Sequence, residues 1–279
     1  MNGLKAGNTA VVTGGAGGIG LESARRFAAA GMNVVLVDMK EDALEEAATE
    51  LAGKGGGDIV AERCDVSDPA AVNALRDRVL DRFGNVHCLM NNAGIGRMGT
   101  KPWEDLDAFN ALVSVNLMGV IHGCHAFMPS MLEHGEAATV INTGSKQGIT
   151  RPPGNYAYNL SKSGVLAYTE SVAHALRQEE NCQVSAHLLV PAFVYTPMVS
   201  AFIPQKPPFA ATAEETVDFM MQSLERGDFY ILCPDNETPR PLDEKRIQWT
   251  ADDIIKNRPA LSRWHPDYED AFKAFVSDN

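Results

Sequence analysis

Short apolar runs rich in β-branched residues alternate with helix-like stretches over most of this chain. Apolar strands separated by helices are typical of a parallel sheet that is covered on both faces, because the crossover helices pack against each side. The pattern therefore predicts an α/β fold with a doubly wound parallel sheet of about seven strands. The predicted strands are residues 9–13, 33–38, 58–64, 86–90, 138–142, 183–189 and 229–233.

Length and composition indicate one large domain with a tail. Residues 1–236 are long enough to form one α/β domain with a sizeable core. Within it, residues from about 196 to 213 contain four prolines and several aromatic side chains, a composition typical of a lid over a pocket. Residues 237–279 are polar and helical, and we expect this extension to pack on the same domain or on a neighbouring subunit.

The net charge and the cysteine pattern indicate which binding partners and which cellular location to expect. The formal net charge of −12 argues against binding to nucleic acid or to an anionic membrane. No apolar run approaches the ~20 residues that cross a bilayer, and no basic start followed by an apolar run indicates a signal peptide. The five cysteines form no Cys-x-x-Cys pair, so we expect free thiols and a cytoplasmic location.

Two histidines, His122 and His125, flank Cys124 at helical spacing and are the one hint of a metal site. A zinc site would need three or four protein ligands. No further cluster of ligand residues accompanies these three side chains in the sequence, so we expect no metal.

A glycine-rich turn, Thr13-Gly-Gly-Ala-Gly-Gly-Ile-Gly20, follows the first predicted strand and opens a helix. Glycines let the backbone approach a pyrophosphate, and a helix N-terminus presents unpaired N–H groups and the positive end of its dipole. A strand, a glycine-rich turn and a helix in this order are the fingerprint of dinucleotide binding. The sequence therefore predicts a dinucleotide site at this turn.

Asp38 ends the second predicted strand, where the adenosine ribose of a dinucleotide would lie. A carboxylate there can accept hydrogen bonds from both ribose hydroxyls and would repel a 2′-phosphate. No Arg or Lys lies in the glycine-rich turn to bind that phosphate, and Lys40 is the nearest cation. We therefore expect NAD rather than NADP, with a simple strand-end cap as the alternative role of Asp38.

Tyr158 and Lys162 lie four residues apart on a predicted helix and would share one face. A free tyrosine has a pKa of about 10, and a nearby positive charge favours the phenolate, which would lower that pKa toward the working range of a base. Ser145, thirteen residues before the tyrosine, could hold the substrate oxygen. Tyr156 is a competing tyrosine, but the residue four positions after it is Leu160.

Together these motifs resemble the short-chain dehydrogenase/reductase family over roughly residues 8–198. The glycine-rich turn, the Cys64-Asp65-Val66 segment beside the adenine, and the Asn91-Asn-Ala-Gly94 segment after the fourth strand are all similar to family motifs. Asn116 falls where the family keeps a catalytic-helix asparagine, and Ser145, Tyr158 and Lys162 complete a tetrad in the family's order. The cofactor contacts that the resemblance implies are Gly14, Gly18, Ile19, Gly20, Asp38, Asp65, Val66, Asn92, Gly94, Tyr158, Lys162, Val194 and Thr196.

The resemblance also implies a role for each member of the tetrad. Tyr158 would be the general base in alcohol oxidation and the general acid in carbonyl reduction. Lys162 would hold the nicotinamide ribose and lower the pKa of Tyr158, and Ser145 would orient the substrate oxygen. Asn116 would hold a water in a proton relay behind Lys162. Hydride would pass directly between the substrate carbon and the nicotinamide, a step that needs no metal.

The chain departs from the family pattern at three places. Lys146 follows Ser145 directly, and we expect its side chain to face solvent, with a contact to an acidic substrate group as the alternative. Ala192 replaces the usual glycine after Pro191. The family's glycine-rich ending after its last strand is absent, and the polar extension follows instead.

The substrate is expected to bind under the lid. Candidate contacts are Asn155, Phe193, Met198 and Phe202, with Ile149 and Phe209 nearby; the alternative for the aromatic residues is a role in the core. An apolar lid favours a medium-to-large, largely apolar secondary alcohol or its ketone. The predicted function is therefore NAD-dependent alcohol–ketone interconversion. The alternatives are a non-catalytic NAD(H)-binding redox sensor and an NADPH-dependent carbonyl reductase. The resemblance also implies a homodimer or homotetramer that assembles through two long helices, at about 104–132 and 156–177.

Overall fold

Seven parallel strands form a single sheet in the computed structural model, which describes residues 3–96, 101–235 and 237–277. The order of the strands across the sheet is β3-β2-β1-β4-β5-β6-β7. This arrangement confirms the predicted doubly wound, Rossmann-type α/β fold. The strands are β1 (Thr9–Thr13), β2 (Asn33–Asp38), β3 (Ile59–Arg63), β4 (Cys88–Asn91), β5 (Ala138–Thr143), β6 (Val184–Val190) and β7 (Tyr230–Leu232).

Eleven α-helices lie in the described ranges. Asp68 caps α3, the helix Pro69–Phe83, because its side chain accepts a hydrogen bond from the backbone N–H of Ala70, and Pro69 is the first residue of that helix. The helices are α1 (Gly18–Ala29), α2 (Glu41–Leu51), α3 (Pro69–Phe83), α4 (Leu106–Val113), α5 (Gly119–Glu133), α6 (Lys146–Thr150), α7 (Tyr156–Leu176), α8 (Pro197–Ser200), α9 (Ala213–Arg226), α10 (Arg240–Ile255) and α11 (Glu269–Ser277).

The two faces of the sheet bury alternate residues of each strand. On one face, Val12 and Leu36 pack with side chains of α1, α2 and α9. On the other face, Val11 and Val35 pack with side chains of α3, α5 and α7. Burial on both faces explains why the strands are apolar without interruption.

The winding of the chain reverses between β1 and β4. From β1 the chain proceeds outward through β2 and β3, and it then crosses back to β4 on the other side of β1. In open α/β sheets, ligands bind at such a switch point, in the crevice beyond the carboxyl ends of the strands. The ends of β1 and β4 therefore define where a ligand site is expected.

The long helical stretch predicted at 104–132 is not one regular helix. A π-helical turn, Ser114–Met118, joins α4 to α5. An 18-residue window within Leu106–Glu133 has a mean hydropathy of 1.4, and the stretch is long and apolar enough to cross a membrane by length and composition alone, a test that core helices also pass. In the structure, however, Cys124, Phe127 and Met131 of α5 pack against the sheet, as in a core helix of a globular domain.

The C-terminal extension folds around Trp249, which is buried. The rings of Phe272 and Phe275 lie with their centroids 5.3 Å from that of Trp249, and the Arg258 guanidinium lies 3.9 Å from it. Ile247 of α10 packs against the core cluster that contains Val165 and Leu188. The extension thus contacts the sheet domain of its own chain, while the predicted boundary at residue 236 falls outside the described ranges.

Candidate active site

Hydrogen bonds of three side chains hold the ends of three strands together. The Thr13 hydroxyl at the end of β1 accepts hydrogen bonds from the backbone N–H groups of Asn92 and Ala93, at 2.9 and 3.0 Å. The Asn92 amide donates to the Thr13 carbonyl at 3.2 Å and accepts from the Thr143 hydroxyl at the end of β5 at 3.2 Å. These bonds fix the edge of the crevice at the switch point.

The glycine-rich turn needs its glycines for steric reasons. Gly14 and Gly18 have φ values of +68° and +55°, in the left-handed region that other residues rarely adopt. A Cβ atom on Gly20 would lie 2.1 Å from the Gly14 carbonyl oxygen. One on Gly18 would lie 3.0 Å from the Thr196 methyl group, so the predicted residues Gly18 and Thr196 meet. Ile19, which lies between Gly18 and Gly20 in the turn, packs against the core.

Asp38 braces the glycine-rich turn from the end of β2. One carboxylate oxygen accepts a hydrogen bond from the Ala16 backbone at 3.3 Å, and the other accepts from Met39 and Lys40 at 2.8 and 3.2 Å. The strand-end cap considered as an alternative role is therefore present. It places a carboxylate beside the turn, which is also what ribose recognition requires.

Asp65 and Val66 shape the next part of the crevice. One oxygen of Asp65 accepts from the backbone and the hydroxyl of Ser67, at 2.9 and 2.7 Å. The Val66 side chain packs where a Cβ on Gly119 would lie, 2.7 Å away, and the Val66 carbonyl contacts His122 Nδ1 at 2.9 Å. His122 is thus engaged by the backbone, and in the described ranges no group of three metal-ligand side chains comes together.

Asn116 lies fully buried in the π-helical turn. Its side-chain oxygen accepts a hydrogen bond from the Ile95 backbone at 2.8 Å, and its nitrogen donates to the Ile95 carbonyl at 2.9 Å. A Cβ on Gly94 would lie 3.3 Å from the same side-chain oxygen. Asn116 therefore fixes the loop that follows β4, and its predicted contact with a relay water stays a prediction.

Ser145, Tyr158 and Lys162 come together at the ends of β5 and β6. Ser145 caps α6 by accepting a hydrogen bond from the Gln147 backbone at 3.2 Å, and its hydroxyl lies close enough to the Tyr158 phenol to lower the pKa of that phenol. The Lys162 ammonium donates to the Thr143 carbonyl at 2.7 Å and lies 5.8 Å from the centre of the Tyr158 ring.

Close packing of α6 on α7 creates this arrangement. A Cβ on Gly148 of α6 would lie 2.6 Å from the backbone carbonyl of Lys162, so only glycine lets the helices approach this closely. The Ser163 hydroxyl donates to the Gly148 carbonyl at 2.7 Å across the same contact. The short helix that begins after Ser145 is thereby held against the helix that carries Tyr158.

Tyr156 makes structural contacts with the region around α4. Its hydroxyl donates to the Glu104 carbonyl at 2.8 Å, and its ring stacks on Phe109 with the centroids 5.8 Å apart. These contacts anchor the start of α7 to the α4 region. The structure thus occupies Tyr156 elsewhere and places Tyr158 beside Ser145.

Burial dominates the titration of the two central groups. Burial raises the pKa of Tyr158 above its ordinary value, while the hydrogen bond with Ser145 opposes that rise. Burial lowers the pKa of Lys162 to about 8. The expectation that the lysine brings the tyrosine pKa below its ordinary value is therefore wrong for the free protein. At neutral pH Tyr158 is a neutral phenol, able to donate a proton, beside a charged ammonium.

The lid rests on a short bridge between two chain segments. Val194 pairs with Ala211, whose N–H donates to the Phe193 carbonyl at 2.9 Å. The Phe193 ring packs on Phe209 with a centroid distance of 5.2 Å. These residues form the base of the lid, and Phe193 and Phe209 are half-buried there.

The other predicted substrate residues differ in exposure. Met198 and Phe202 are 38% and 53% exposed, and the Met198 side chain lies against Gly96 in the loop after β4. Asn155 precedes α7, and its side chain makes no capping hydrogen bond. Ile149 packs in the core cluster with Val165 and is not at the lid.

Lys146 does not face solvent, contrary to expectation, and the alternative of a contact with an acidic substrate group stays a prediction. Its ammonium lies 2.5 Å from an Asp243 carboxylate oxygen and 3.7 Å from an Asp235 carboxylate oxygen. Its side chain is only 16% exposed. The residue after the active-site serine is thus tied to the C-terminal extension.

Sequence reasoning missed three contributors to this site. Thr13 belongs to the quoted glycine-rich motif, and its position at the end of β1 was a usable signal. Thr143 acts through its backbone carbonyl, which no side-chain pattern reveals. Asp243 lies in a distant polar helix, and no local signal connects it with Lys146.

Comparisons with known proteins agree with this geometry. The family model for short chain dehydrogenases matches residues 8–207. The 1-deoxy-11-beta-hydroxypentalenate dehydrogenase of Streptomyces avermitilis is 33% identical over 87% of this chain and 90% of that protein. The 2-(R)-hydroxypropyl-CoM dehydrogenase of Xanthobacter autotrophicus is 33% identical over 76% of this chain and 89% of that protein.

A solved structure is similar over nearly the full chain. A short-chain dehydrogenase/reductase from Burkholderia phymatum, crystallised in complex with NAD, superimposes with a TM-score of 0.83 and 32% identity, covering 92% of this chain and 97% of that one. This chain belongs to the short-chain dehydrogenase/reductase family. It is therefore an oxidoreductase of a family that acts on hydroxyl groups and the corresponding carbonyls.

Burial of the Lys162 ammonium should make the stability of the fold depend on pH. Its pKa of about 8 lies below the unfolded value of 10.5, so burial of the charge destabilises the fold below pH 8, and the penalty fades as pH rises toward 10.5. We expect Lys162→Met, measured without cofactor by thermal unfolding, to stabilise the protein at pH 7 by up to about 2 kcal/mol. Loss of the hydrogen bond to Thr143 offsets part of that gain. The gain should shrink as pH rises, and an equal effect at neutral and alkaline pH would contradict this assignment.

Proposed function

We propose that this protein is an NAD-dependent oxidoreductase that interconverts a medium-to-large, largely apolar secondary alcohol and its ketone. The observation that carries the proposal is the placement of the Tyr158 phenol. The Ser145 hydroxyl lies close enough to this phenol to lower its pKa, and the buried Lys162 ammonium lies 5.8 Å from the centre of the Tyr158 ring. A proton donor, a second hydroxyl and a cation in one place suit a carbonyl oxygen that gains negative charge.

The residues at the crevice fit a dinucleotide. Gly14, Gly18 and Gly20 allow the tight turn at the N-terminus of α1, because a Cβ at any of them would collide with neighbouring protein atoms. The turn presents the N-terminus of α1 to a pyrophosphate. The Asp38 carboxylate beside that turn suits the adenosine ribose, which favours NAD over NADP. Asp65 and Val66 would lie beside the adenine, and Asn92 and Gly94 would lie under the cofactor. Val194 and Thr196 would contact its nicotinamide end. When bound, NAD supplies the nicotinamide carbon that accepts or donates the hydride.

The chain's own groups would move the proton. In carbonyl reduction, Tyr158 donates its phenolic proton to the substrate oxygen, and the Ser145 hydroxyl donates a hydrogen bond to the same oxygen. In alcohol oxidation, Tyr158 must first lose its proton and then accepts the proton of the alcohol. Lys162 stabilises the phenolate by its charge, and Asn116 fixes the neighbouring loop. The raised pKa of Tyr158 means that oxidation should gain rate as pH rises.

The lid supports an apolar substrate. Met198, Phe202 and Ile203 are exposed apolar side chains on the segment that begins at Thr196, beside the glycine-rich turn. Bound substrate would cover them, and Asn155 would hydrogen-bond a polar group near Tyr158. The names of the relatives from Streptomyces and Xanthobacter both specify hydroxyl-bearing compounds. Test substrates should therefore come from an NADH-linked screen of apolar secondary alcohols and ketones.

Assembly through the two long helices is also part of the proposal. Leu106, Met118 and Leu132 of the α4–α5 stretch and Leu160 of α7 are exposed apolar side chains. A second copy packed on these helices would bury them, which supports a homodimer or homotetramer. The cytoplasmic location stays a prediction.

The general acid/base assignment predicts the effect of one hydroxyl group. Tyr158→Phe should lower kcat by at least about a thousandfold, because the proton donor is lost, while the Kd for NADH stays within about twofold. Steady-state kinetics and fluorescence titration measure the two quantities. Tyr156→Phe is the matched control, because it removes the hydroxyl that bonds to Glu104 and should keep near-wild-type turnover. Comparable losses in both variants, or wild-type-like turnover in Tyr158→Phe, would contradict the mechanism.

Cofactor choice depends on the charge of Asp38. Asp38→Asn retains an acceptor for the backbone of the glycine-rich turn but removes the negative charge. We expect it to reduce the ratio of kcat/KM for NAD to that for NADP by at least about tenfold, mainly through better use of NADP. Asp42→Asn, an exposed acid in the first turn of α2, is the control and should leave the ratio unchanged. Equal efficiency with NAD and NADP in the wild-type protein would contradict the proposed preference.

A further inference from the structure

A buried ion pair joins the C-terminal extension to the helix that follows the active-site serine. Lys146 of α6 pairs with Asp243 of α10, and the two side chains are 16% and 6% exposed. Asp235 adds a second carboxylate 3.7 Å from the ammonium, with its side chain 11% exposed. Loss of one partner of a buried pair leaves an uncompensated charge, which costs far more than loss of a surface pair.

Lys146 is placed to control the position of Ser145. Ser145 is the cap residue of α6, and Lys146 is the first residue of that helix. The Lys146 backbone N–H donates to the Pro191 carbonyl, just past the end of β6, at 3.3 Å. The helix has only five residues, so a shift of its first turn would move the Ser145 hydroxyl relative to Tyr158.

Other contacts hold the two carboxylates in position, independently of their pairing with Lys146. One oxygen of Asp235 accepts hydrogen bonds from the backbones of Glu237 and Thr238, at 3.0 and 2.5 Å, which leaves its other oxygen toward Lys146. Asp243 lies in the first turn of α10, which Ile247 anchors to the core of the sheet domain. The acidic side of the pair is therefore a rigid part of the extension.

Burial and some of the neighbouring charges act in opposite directions on this ion pair, so the pair adds little to the stability of the fold. Burial raises the pKa of Asp243, the nearby Asp235 raises it further, and Lys146 and Arg246 oppose the rise. Arg263 lies near Asp243 as well, and the Cys233 thiol lies near Lys146. Burial of the two charges costs free energy, so this ion pair is weak evidence for a role in stability alone. The same cost favours a role in positioning a functional group.

We propose that Lys146 is a positioning residue for Ser145, held by Asp243, so that the C-terminal extension sets the geometry of the proton-transfer site. This inference rests on the proposed function, because it assigns Ser145 to the substrate oxygen. The extension then belongs to the reaction machinery without touching the substrate.

The first test compares kinetics with and without the pair. Lys146→Met should lower kcat by about 10- to 100-fold, while the Kd for NADH stays nearly unchanged, because the serine is displaced and the cofactor crevice is not. Lys146→Arg should recover most of the loss. In a Ser145→Ala background, Lys146→Met should cause little further loss, because the group that it positions is gone.

The matched control is Lys256→Met. Lys256 pairs with Asp252 at 2.7 Å within the same extension and is far more exposed than Lys146. Turnover of this variant should equal that of the wild type. Asp243→Asn should reproduce the loss seen in Lys146→Met. If both variants of the buried pair keep wild-type kcat and lose only thermal stability, the pair is structural and the inference is overturned.

A second readout needs no turnover. Because the hydrogen bond with Ser145 opposes the rise in the pKa of Tyr158, displacement of the serine should raise that pKa further. NMR titration of 13C-labelled tyrosine should show this shift in Lys146→Met but not when Ser145→Ala is already present. Absence of the shift overturns the inference even if no substrate is found. Wild-type protein that binds NADH but turns over no alcohol or ketone would instead count against the proposed function.

Discussion

The burial of one ammonium group organises the catalytic half of this molecule. Lys162 is 4% exposed, and its hydrogen bond to the Thr143 carbonyl ties α7 to the end of β5. Gly148 lets α6 pack closely against the backbone of the same lysine. The same contact holds the short helix capped by Ser145 beside Tyr158. The position of the serine, the tyrosine and the strand end therefore all depend on where this one charge is buried.

The cost of that burial explains the electrostatic state of the site. The interior lowers the pKa of Lys162 to about 8 and raises that of Tyr158, so both groups resist the charged form. The Lys162 ammonium donates its hydrogen bond to a backbone carbonyl, and no carboxylate in the described part of the structure pairs with its charge. A buried, unpaired cation beside a neutral phenol is unfavourable for folding and suited to proton transfer, a combination common at functional sites.

The strands were predictable because their signal is local. Runs such as Asn33–Asp38 are buried on both faces, and their continuous apolar character reports that burial directly. The glycine-rich turn was predictable for a similar reason, because its positive φ values and close contacts demand glycine at fixed spacing. The order of Asn116, Ser145, Tyr158 and Lys162 followed from resemblance, and the structure brings the last three together.

Other features could not be read from the sequence. The direction of the Tyr158 pKa depends on burial, which appears only once α6, α7 and the strand ends have packed. The π-helical turn at Ser114–Met118 has no composition signal that separates it from a regular helix. The partner of Lys146 lies in a helix that is remote in sequence, so its pairing with Asp243 is a property of the tertiary fold. From the sequence alone we expect a solvent-facing side chain at Lys146, and that expectation is wrong.

The central claim is that Tyr158 is a neutral proton donor in the free protein and that its pKa responds to the positive charge in its surroundings. NMR titration of 13C-labelled tyrosine, with Tyr158→Phe to assign the resonance, measures this most directly. In the free wild-type protein, Tyr158 should titrate above its ordinary value of about 10, and its pKa should fall when oxidised NAD is added. A Tyr158 that titrates below 10 without cofactor, or one whose titration is indifferent to oxidised NAD, would contradict the claim.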